Sequence, residues 1–454
     1  MTGAPRVHDL ALIIEDLDAA GRLVRVRGEV DPRLELAGVA AAFEGTDQAV
    51  LFERVKGHTA PVFTGLYWSR TLLAGLLGQP EPTLAHYVTG RIAQWKARPV
   101  PPVVVADGPV LEVTEKDLAA LPVPVHAEGD GGPYIDAGVV IARDPETGVR
   151  NASIQRFMVA GLDTLHINID AGRHLGLYLD KAARLGRNLP ITVNVGVGPG
   201  VHFAAAAPAE AAGADEDELG IASAFHGAPL RLVPGTLSDV ELVAEAMYAL
   251  ECEIVPGALA EEGPFAEVTG YYAKRLPRPV VTVRAVHRRA APVFHTILSG
   301  AEVWNSVGLL GEANILDLVS RQVPGVRDVY LPHGGCGFYH AVVQMEQRRA
   351  GWAKQAIMAA FAAFPPLKMV TVVDEDVDPR DPSDIEWAMA TRLDPDHGIV
   401  RIPRAYGHGL NPGFPDYLGT KVGFDATRPA PRTPEYDRVR YRAVDLDRFD
   451  ILRP

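Results

Sequence analysis

Cysteine is almost missing from this chain: two occur in 454 residues, Cys252 and Cys336. That excludes a disulfide framework and points to a reducing compartment. Basic excess is missing too. Lys and Arg total 44 against 57 Asp and Glu, a net charge of −13, which excludes a nucleic-acid protein but leaves room for one local basic pocket. No apolar run reaches the ~18 residues of a membrane span. Residues 1–18 lack a charged segment followed by an apolar core, so no secretory signal is read and a cytoplasmic protein is expected. The sequon Asn151-Ala152-Ser153 then carries no meaning as a glycosylation site. There is no internal repeat and no low-complexity tract. What remains is a chain with 47% hydrophobic residues, long enough for two or three packed domains.

The pattern divides the chain. Residues 1 to about 100 mix helical stretches (9–20, 34–42) with a strand-like 49–52, and Pro99, Pro101 and Pro102 mark a boundary. Residues 137–142, 191–197 and 279–286 are β-branched apolar runs bounded by Gly, Pro or Asp, which predicts strands. Beyond about 308, strands are expected at 326–331, 341–347 and 367–373, with helices at 351–364 and 382–393. Ser383 and Glu386 are spaced as a capping box for the second helix. Such alternation implies an α/β unit. The Gly-, Pro- and Tyr-rich stretch after 405 reads as an irregular covering segment. At 240–254, Ser238 and Glu241 signal a helix, while the same residues also read as a strand.

Five segments carry possible chemistry. Glu262-Gly263-Pro264-Phe265-Ala266-Glu267 sets two carboxylates five residues apart on a constrained bend. Acids held close can divide into a proton holder and an ionised partner, or can be unrelated surface groups. Gly196-Val197-Gly198-Pro199-Gly200 follows a strand but lacks the third glycine of a dinucleotide fingerprint, so a glycine-rich turn is preferred. Arg156, beside Ser153 and Gln155, suits a carboxylate of substrate or of structure. His174, after Gly172 and Arg173, reads as structural or as a ligand. Asp374-Glu375-Asp376 ends a buried strand, where acids cap a turn or ligate a metal.

In this order the segments resemble the UbiD family of decarboxylases. The acidic motif with Thr269-Gly270-Tyr271-Tyr272, the run Asp144-Pro145-Glu146-Thr147-Gly148-Val149-Arg150-Asn151 leading to Arg156, and Gly419-Thr420-Lys421-Val422-Gly423-Phe424-Asp425 together carry the likeness over nearly the whole chain. Ala266 departs from the glycine usual between the acids, and 241–262 matches less closely.

The resemblance implies an α/β (α+β) protein: an N-terminal α/β domain (1–105), a central split β-barrel flavin-binding domain (106–305), a C-terminal α/β domain (306–435) that dimerises, and a tail (436–454). It favours strand over helix at 240–254. It implies prenylated FMN held by a divalent metal, usually Mn²⁺, and by K⁺. Asn151, His174 and Glu218 match the metal ligands, an N/O set suited to manganese; their spacing alone carries no such signature. Ile154, Gln155, Arg156, Asn168, Ile169, Asp170, Arg173 and His174 match the cofactor lining, and Lys368 a phosphate-facing lysine. Arg156, Glu262 and Glu267 match an Arg–Glu–Glu catalytic network, with Glu267 the proton donor. His295 and Asn305 are pocket candidates, beside Trp304 and the stretch 406–417.

The activity implied is reversible, non-oxidative decarboxylation of an unsaturated, aromatic or heteroaromatic (furan or pyrrole type) acid, the cofactor forming a covalent adduct with the substrate. A flavin prenyltransferase would supply that cofactor. The alternatives are an FMN-dependent oxidoreductase and a non-catalytic flavin-binding partner.

Overall fold

The structure, a computed structural model, describes residues 7–169, 172–208, 211–213, 215–439, 441–445 and 448–449. Its centre is a closed antiparallel barrel of six strands. Around the barrel run Tyr248–Glu262, Leu189–Val195, Tyr134–Arg143, Arg150–Val159, Thr164–Ile167 and Leu276–Arg288, which pairs back to Tyr248–Glu262. Closing the ring pairs each barrel strand on both sides, and both faces of the wall are buried: Val139 and Ile141 lie on one face, Ile191, Val193 and Leu250 on the other.

Three sheets flank or extend this barrel. An N-terminal sheet orders Leu23–Val30, Ala49–Val55, Val62–Thr64 and Phe294–His295. The last strand comes from more than 200 residues downstream, so chain beyond the barrel completes the N-terminal unit. A small sheet joins Val103–Val104, Arg231–Val233 and Leu242–Val243. The C-terminal sheet runs Val326–Tyr330, His340–Met345, Met369–Asp374, Leu418–Ala426, Ile399–Tyr406. One long helix, Ala301–Gln322, connects the units. It packs against Leu84–Ala97, Pro199–Ala206, Trp352–Ala363 and Val326–Tyr330, burying Leu309, Leu310, Ile315 and Leu316, each worth roughly 1.5–3 kcal/mol of apolar burial.

The strands expected at 137–142, 191–197, 279–286, 326–331, 341–347 and 367–373 all form, as do the helices at 9–20, 34–42, 351–364 and 382–393, with shifted ends. Three expectations are corrected. The stretch after 405 is not an irregular cover: Leu418–Ala426 sits inside the C-terminal sheet, between Met369–Asp374 and Ile399–Tyr406. Its Gly, Lys and Asp hid it, because strand preference reflects packing more than intrinsic propensity. The helix Pro382–Arg392 is capped by Asp381, which accepts from the Ser383 amide at 2.9 Å, and Pro382 occupies its first turn. At 240–254 the extended reading holds but is split: Leu242–Val243 pairs with Arg231–Val233, a turn follows, and the barrel strand begins at Tyr248.

The glycine-rich turn at 196–200 serves packing. A Cβ on Gly198 would fall 2.3 Å from the Val7 carbonyl, so the glycine lets the N-terminal segment lie against the start of the helix Pro199–Ala206. No helix among the described residues is long and apolar enough to cross a membrane.

Candidate active site

The hairpin that joins Tyr248–Glu262 to Leu276–Arg288 carries both acids. Gly263 adopts φ +94°, and a Cβ there would lie 2.9 Å from the Lys274 carbonyl, so the bend requires glycine. A neighbouring loop fixes it: Gly131 N–H donates to the Pro264 carbonyl at 2.8 Å, and Ala266 N–H donates to Asp130 Oδ1 at 2.8 Å. The Glu267 amide donates to the Tyr271 carbonyl at 2.8 Å and closes the turn.

These contacts aim both carboxylates at one guanidinium. Arg156 lies on the strand Arg150–Val159, and its Nε and Nη2 donate to Glu262 Oε1 and Oε2 at 3.0 and 3.3 Å. Its Nη1 forms an ion pair with Glu267 Oε1, an atom that has no aligned hydrogen bond. Tyr134 donates its hydroxyl to Glu262 Oε1 at 3.1 Å, and Phe265 lies 4.9 Å below the guanidinium. Glu262 and Tyr134 are fully buried. Burial and the Glu262 carboxylate raise the Tyr134 phenol beyond its usual range, so Tyr134 stays a donor. One cation thus faces two acids. The bidentate pair with Glu262 offsets it, and the charge on Glu267 is left over.

A second cluster forms at the other end of the same strand. Asn151 Nδ2 lies 2.7 Å from Glu218 Oε1, and His174 Nδ1 lies 3.2 Å from both. Glu218 Oε2 accepts the Ala152 amide at 2.8 Å. His174 opens the helix His174–Arg184 and Glu218 precedes Leu219–His226, so two helix N-termini meet here. The Glu218 carboxylate draws the His174 imidazole above its usual pKa. Amide, imidazole and carboxylate converge, and turning the amide of Asn151 would present three donor atoms to one cation. Helix N-termini favour a phosphate beside it. Asn168 Oδ1 is buried without a partner among the described residues, as an acceptor awaiting a ring N–H would be. The residues present therefore fit a phosphate-bearing flavin with a divalent ion.

Other expected residues are placed as follows. Ile154 and Ile169 pack against the core, and Gln155 Nε2 donates to Ser153 Oγ at 3.2 Å. Arg173 precedes the His174 helix, and Asp170 lies outside the described residues. Lys368 sits on the C-terminal unit, its ammonium 5.8 Å from the Phe414 ring; among the described residues no hydrogen bond or ion pair joins it to the Asn151 cluster. His295 is buried between Phe63 and Tyr67, its Nε2 unpartnered, and burial lowers its pKa to about 4. Asn305 makes three bonds within the protein: Oδ1 accepts from Arg70 Nε at 2.8 Å and His333 Nε2 at 2.9 Å, while Nδ2 donates to the Trp68 carbonyl at 2.9 Å. Trp304 donates Nε1 to the Val268 carbonyl at 3.1 Å, beside Glu267, and stands 5.2 Å from the His333 ring. Tyr134, Phe265 and His333 were not singled out from sequence, since nothing local marks a tyrosine in a buried strand as the partner of an acid 128 residues away.

Models of the three domains of 3-octaprenyl-4-hydroxybenzoate carboxy-lyase match the chain in order: the N-terminal domain at 14–92, the Rift-related domain at 103–302 and the C-terminal domain at 305–426. The chain belongs to the UbiD family. Among its relatives, a protein of the cooM 5′ region of Rhodospirillum rubrum is 69% identical over 454 residues, 99% of this chain and 98% of that one. The anhydromevalonate phosphate decarboxylase of Methanothermobacter thermautotrophicus is 38% identical over 436 residues, 96% and 98% of the two chains. The UbiD-class enzyme HmfF from Pelotomaculum thermopropionicum, in complex with FMN, superposes with a TM-score of 0.91 at 40% identity over 98% and 99% of the two chains. An evolved dimeric form of HmfF in complex with prFMN gives 0.88 at 38% identity over the same shares. The 3,4-dihydroxybenzoic acid decarboxylase of Enterobacter cloacae gives 0.88 at 31% identity, over 97% and 98%. This UbiD-family protein is a carboxy-lyase.

Proposed function

We propose that this UbiD-family protein catalyses the reversible, non-oxidative decarboxylation of an unsaturated, aromatic or heteroaromatic carboxylic acid on prenylated FMN. The observation that carries the reading is Arg156 held between Glu262 and Glu267. Asn151, His174 and Glu218 would hold a divalent ion, Mn²⁺ with K⁺ nearby, against the flavin phosphate. Ile154, Gln155, Asn168, Ile169, Asp170 and Arg173 would border the flavin, with Lys368 as a phosphate partner. When bound, the flavin supplies the electron sink for carbon–carbon cleavage.

The remaining steps belong to side chains. Arg156, fixed by Glu262, orients the substrate carboxylate. Glu267, the second acid that faces Arg156, is the group that delivers a proton to the carbon that CO₂ leaves. Tyr134 donates to Glu262 and helps to hold this acid against Arg156.

Substrate selection is assigned to His295 and to the wall formed by Trp304 and His333. A neutral, buried His295 suits a ring heteroatom or hydroxyl better than a second carboxylate. Asn305 would act by holding His333. The protein would work as a homodimer in the cytoplasm, with its cofactor made by a flavin prenyltransferase. To test this, the protein is co-expressed with such a prenyltransferase and offered aromatic and heteroaromatic acids. CO₂ release that vanishes in Glu267→Gln is expected. Bleaching by NAD(P)H with no CO₂ from any acid would overturn the reading.

A further inference from the structure

Beside the Asn151 cluster lies a second group of charges that the proposed mechanism does not use. Arg150, adjacent to Asn151, donates Nε and Nη2 to Asp217 Oδ2 at 2.8 and 2.6 Å. Asp217, adjacent to Glu218, uses its other oxygen to accept the Leu219 amide at 3.1 Å, capping the helix that follows. Each member of this pair is thus the chain neighbour of one proposed metal ligand.

The pair is anchored behind. Arg143 and Arg150 stand opposite each other across Tyr134–Arg143 and Arg150–Val159. Two like charges in register repel. Glu241, nearly buried, lies between them, accepting from Arg150 Nη1 at 3.1 Å and from Arg143 Nη2. Arg143 also donates Nε to the Asp239 carbonyl at 3.1 Å and Nη1 to the Gly148 carbonyl at 2.8 Å. Two arginines and two acids balance without Glu218. That leaves the Glu218 carboxylate to Asn151, the Ala152 amide and His174, and through them to a cation.

We propose that Arg150 and Asp217 form a clasp that sets the spacing of Asn151 and Glu218, and hence the affinity for the divalent ion, without touching it. The inference rests on the proposed cation site. Arg150 and Asp217 are positioning residues, and groups that orient metal ligands typically alter affinity about 10- to 100-fold when removed. Asp217→Asn has a further consequence: it frees the Arg150 cation to compete for Glu218, one residue along.

The test measures Mn²⁺ binding to the flavin-free full-length protein by electron paramagnetic resonance titration, with FMN retention and thermal midpoint in parallel. Arg150→Gln and Asp217→Asn should each weaken Mn²⁺ binding by about 10- to 100-fold, and the double variant should weaken it no further than the worse single one. Arg150→Lys, which keeps charge without the two-pronged contact, should recover part of the loss and serves if Arg150→Gln fails to fold. Asn151→Ala separates the two claims. If Asn151→Ala weakens Mn²⁺ and the clasp variants do not, or their losses simply add, the clasp is wrong. If Asn151→Ala changes nothing, the cation site itself is wrong.

Discussion

Two acid–arginine clusters of similar composition do opposite things in this protein. In the C-terminal unit, Asp374, Glu375 and Asp376 meet several cations. Arg392 donates to Asp374 at 2.8 Å and to both oxygens of Asp376 at 2.9 and 2.8 Å. The Arg428 amide donates to Asp374 at 2.7 Å and its guanidinium to Glu375 at 2.7 Å, while the Arg438 guanidinium donates to the Asp376 carbonyl. Burial opposes ionisation of Asp376, yet these arginines hold its carboxyl below the usual range. In the barrel the balance is reversed, with one arginine between two acids and Glu267 short of an aligned partner. A cluster whose charges are all paired is a staple. A cluster left one charge over can accept and return a proton. The sequence motif alone does not separate them; the count of cations that the fold delivers does.

The largest effect that would sharpen this contrast is chemical. Glu267→Gln should lower turnover by at least about 10³-fold while flavin absorbance and thermal midpoint stay near wild type; near-normal CO₂ release would remove Glu267 from the mechanism. The matching change in the C-terminal cluster, Arg392→Ala, should cost about 3–5 kcal/mol in denaturant unfolding by stranding buried Asp374 and Asp376, with turnover per folded molecule unchanged. A large kcat change without lost stability would break the comparison. Next, Glu262→Gln should reduce kcat about 10- to 100-fold, since a charge-assisted bond that orients Arg156 is lost.

Acid stability provides a control outside both clusters. His202, His295, His226 and His340 are buried, and burial lowers their pKa values to about 3, 4, 4 and 4. The unfolded chain therefore binds more protons below about pH 6.5, so stability is full above that pH and falls toward pH 4. Each histidine contributes up to about 1.4 kcal/mol per pH unit. A flat unfolding midpoint between pH 7 and 5 would contradict their neutral burial. The smallest effect is expected for Tyr134→Phe, which removes one bond to Glu262. A loss near 1 kcal/mol, or about fivefold in kcat, is anticipated, and no change would mean that Arg156 alone fixes Glu262.

The sequence was most legible where pattern and neighbours agree. Continuous β-branched apolar runs marked most of the barrel and C-terminal strands, because burial on both faces is written locally. The strand Leu418–Ala426 escaped because its fit depends on a partner: a Cβ on Gly423 would fall 2.2 Å from Ile357 of a helix some sixty residues earlier. Glu262, Glu267 and Arg156 were identified by motif, yet Tyr134 and Phe265, which hold them, were not. Likewise Asn305 looked like a pocket amide until three protein partners took both acceptor sites of its oxygen and one of its two N–H donors.

By itself the chain determined its composition class, its period of burial, the glycine bend at 263 and the acids on either side of it, since each depends on residues a few positions apart. Only the tertiary structure decided which acids share a cation, which arginine brings Asn151 beside Glu218, and which amide is already spent. Those outcomes are set by contacts between residues tens to hundreds of positions apart, and their energies depend on burial that no local pattern records.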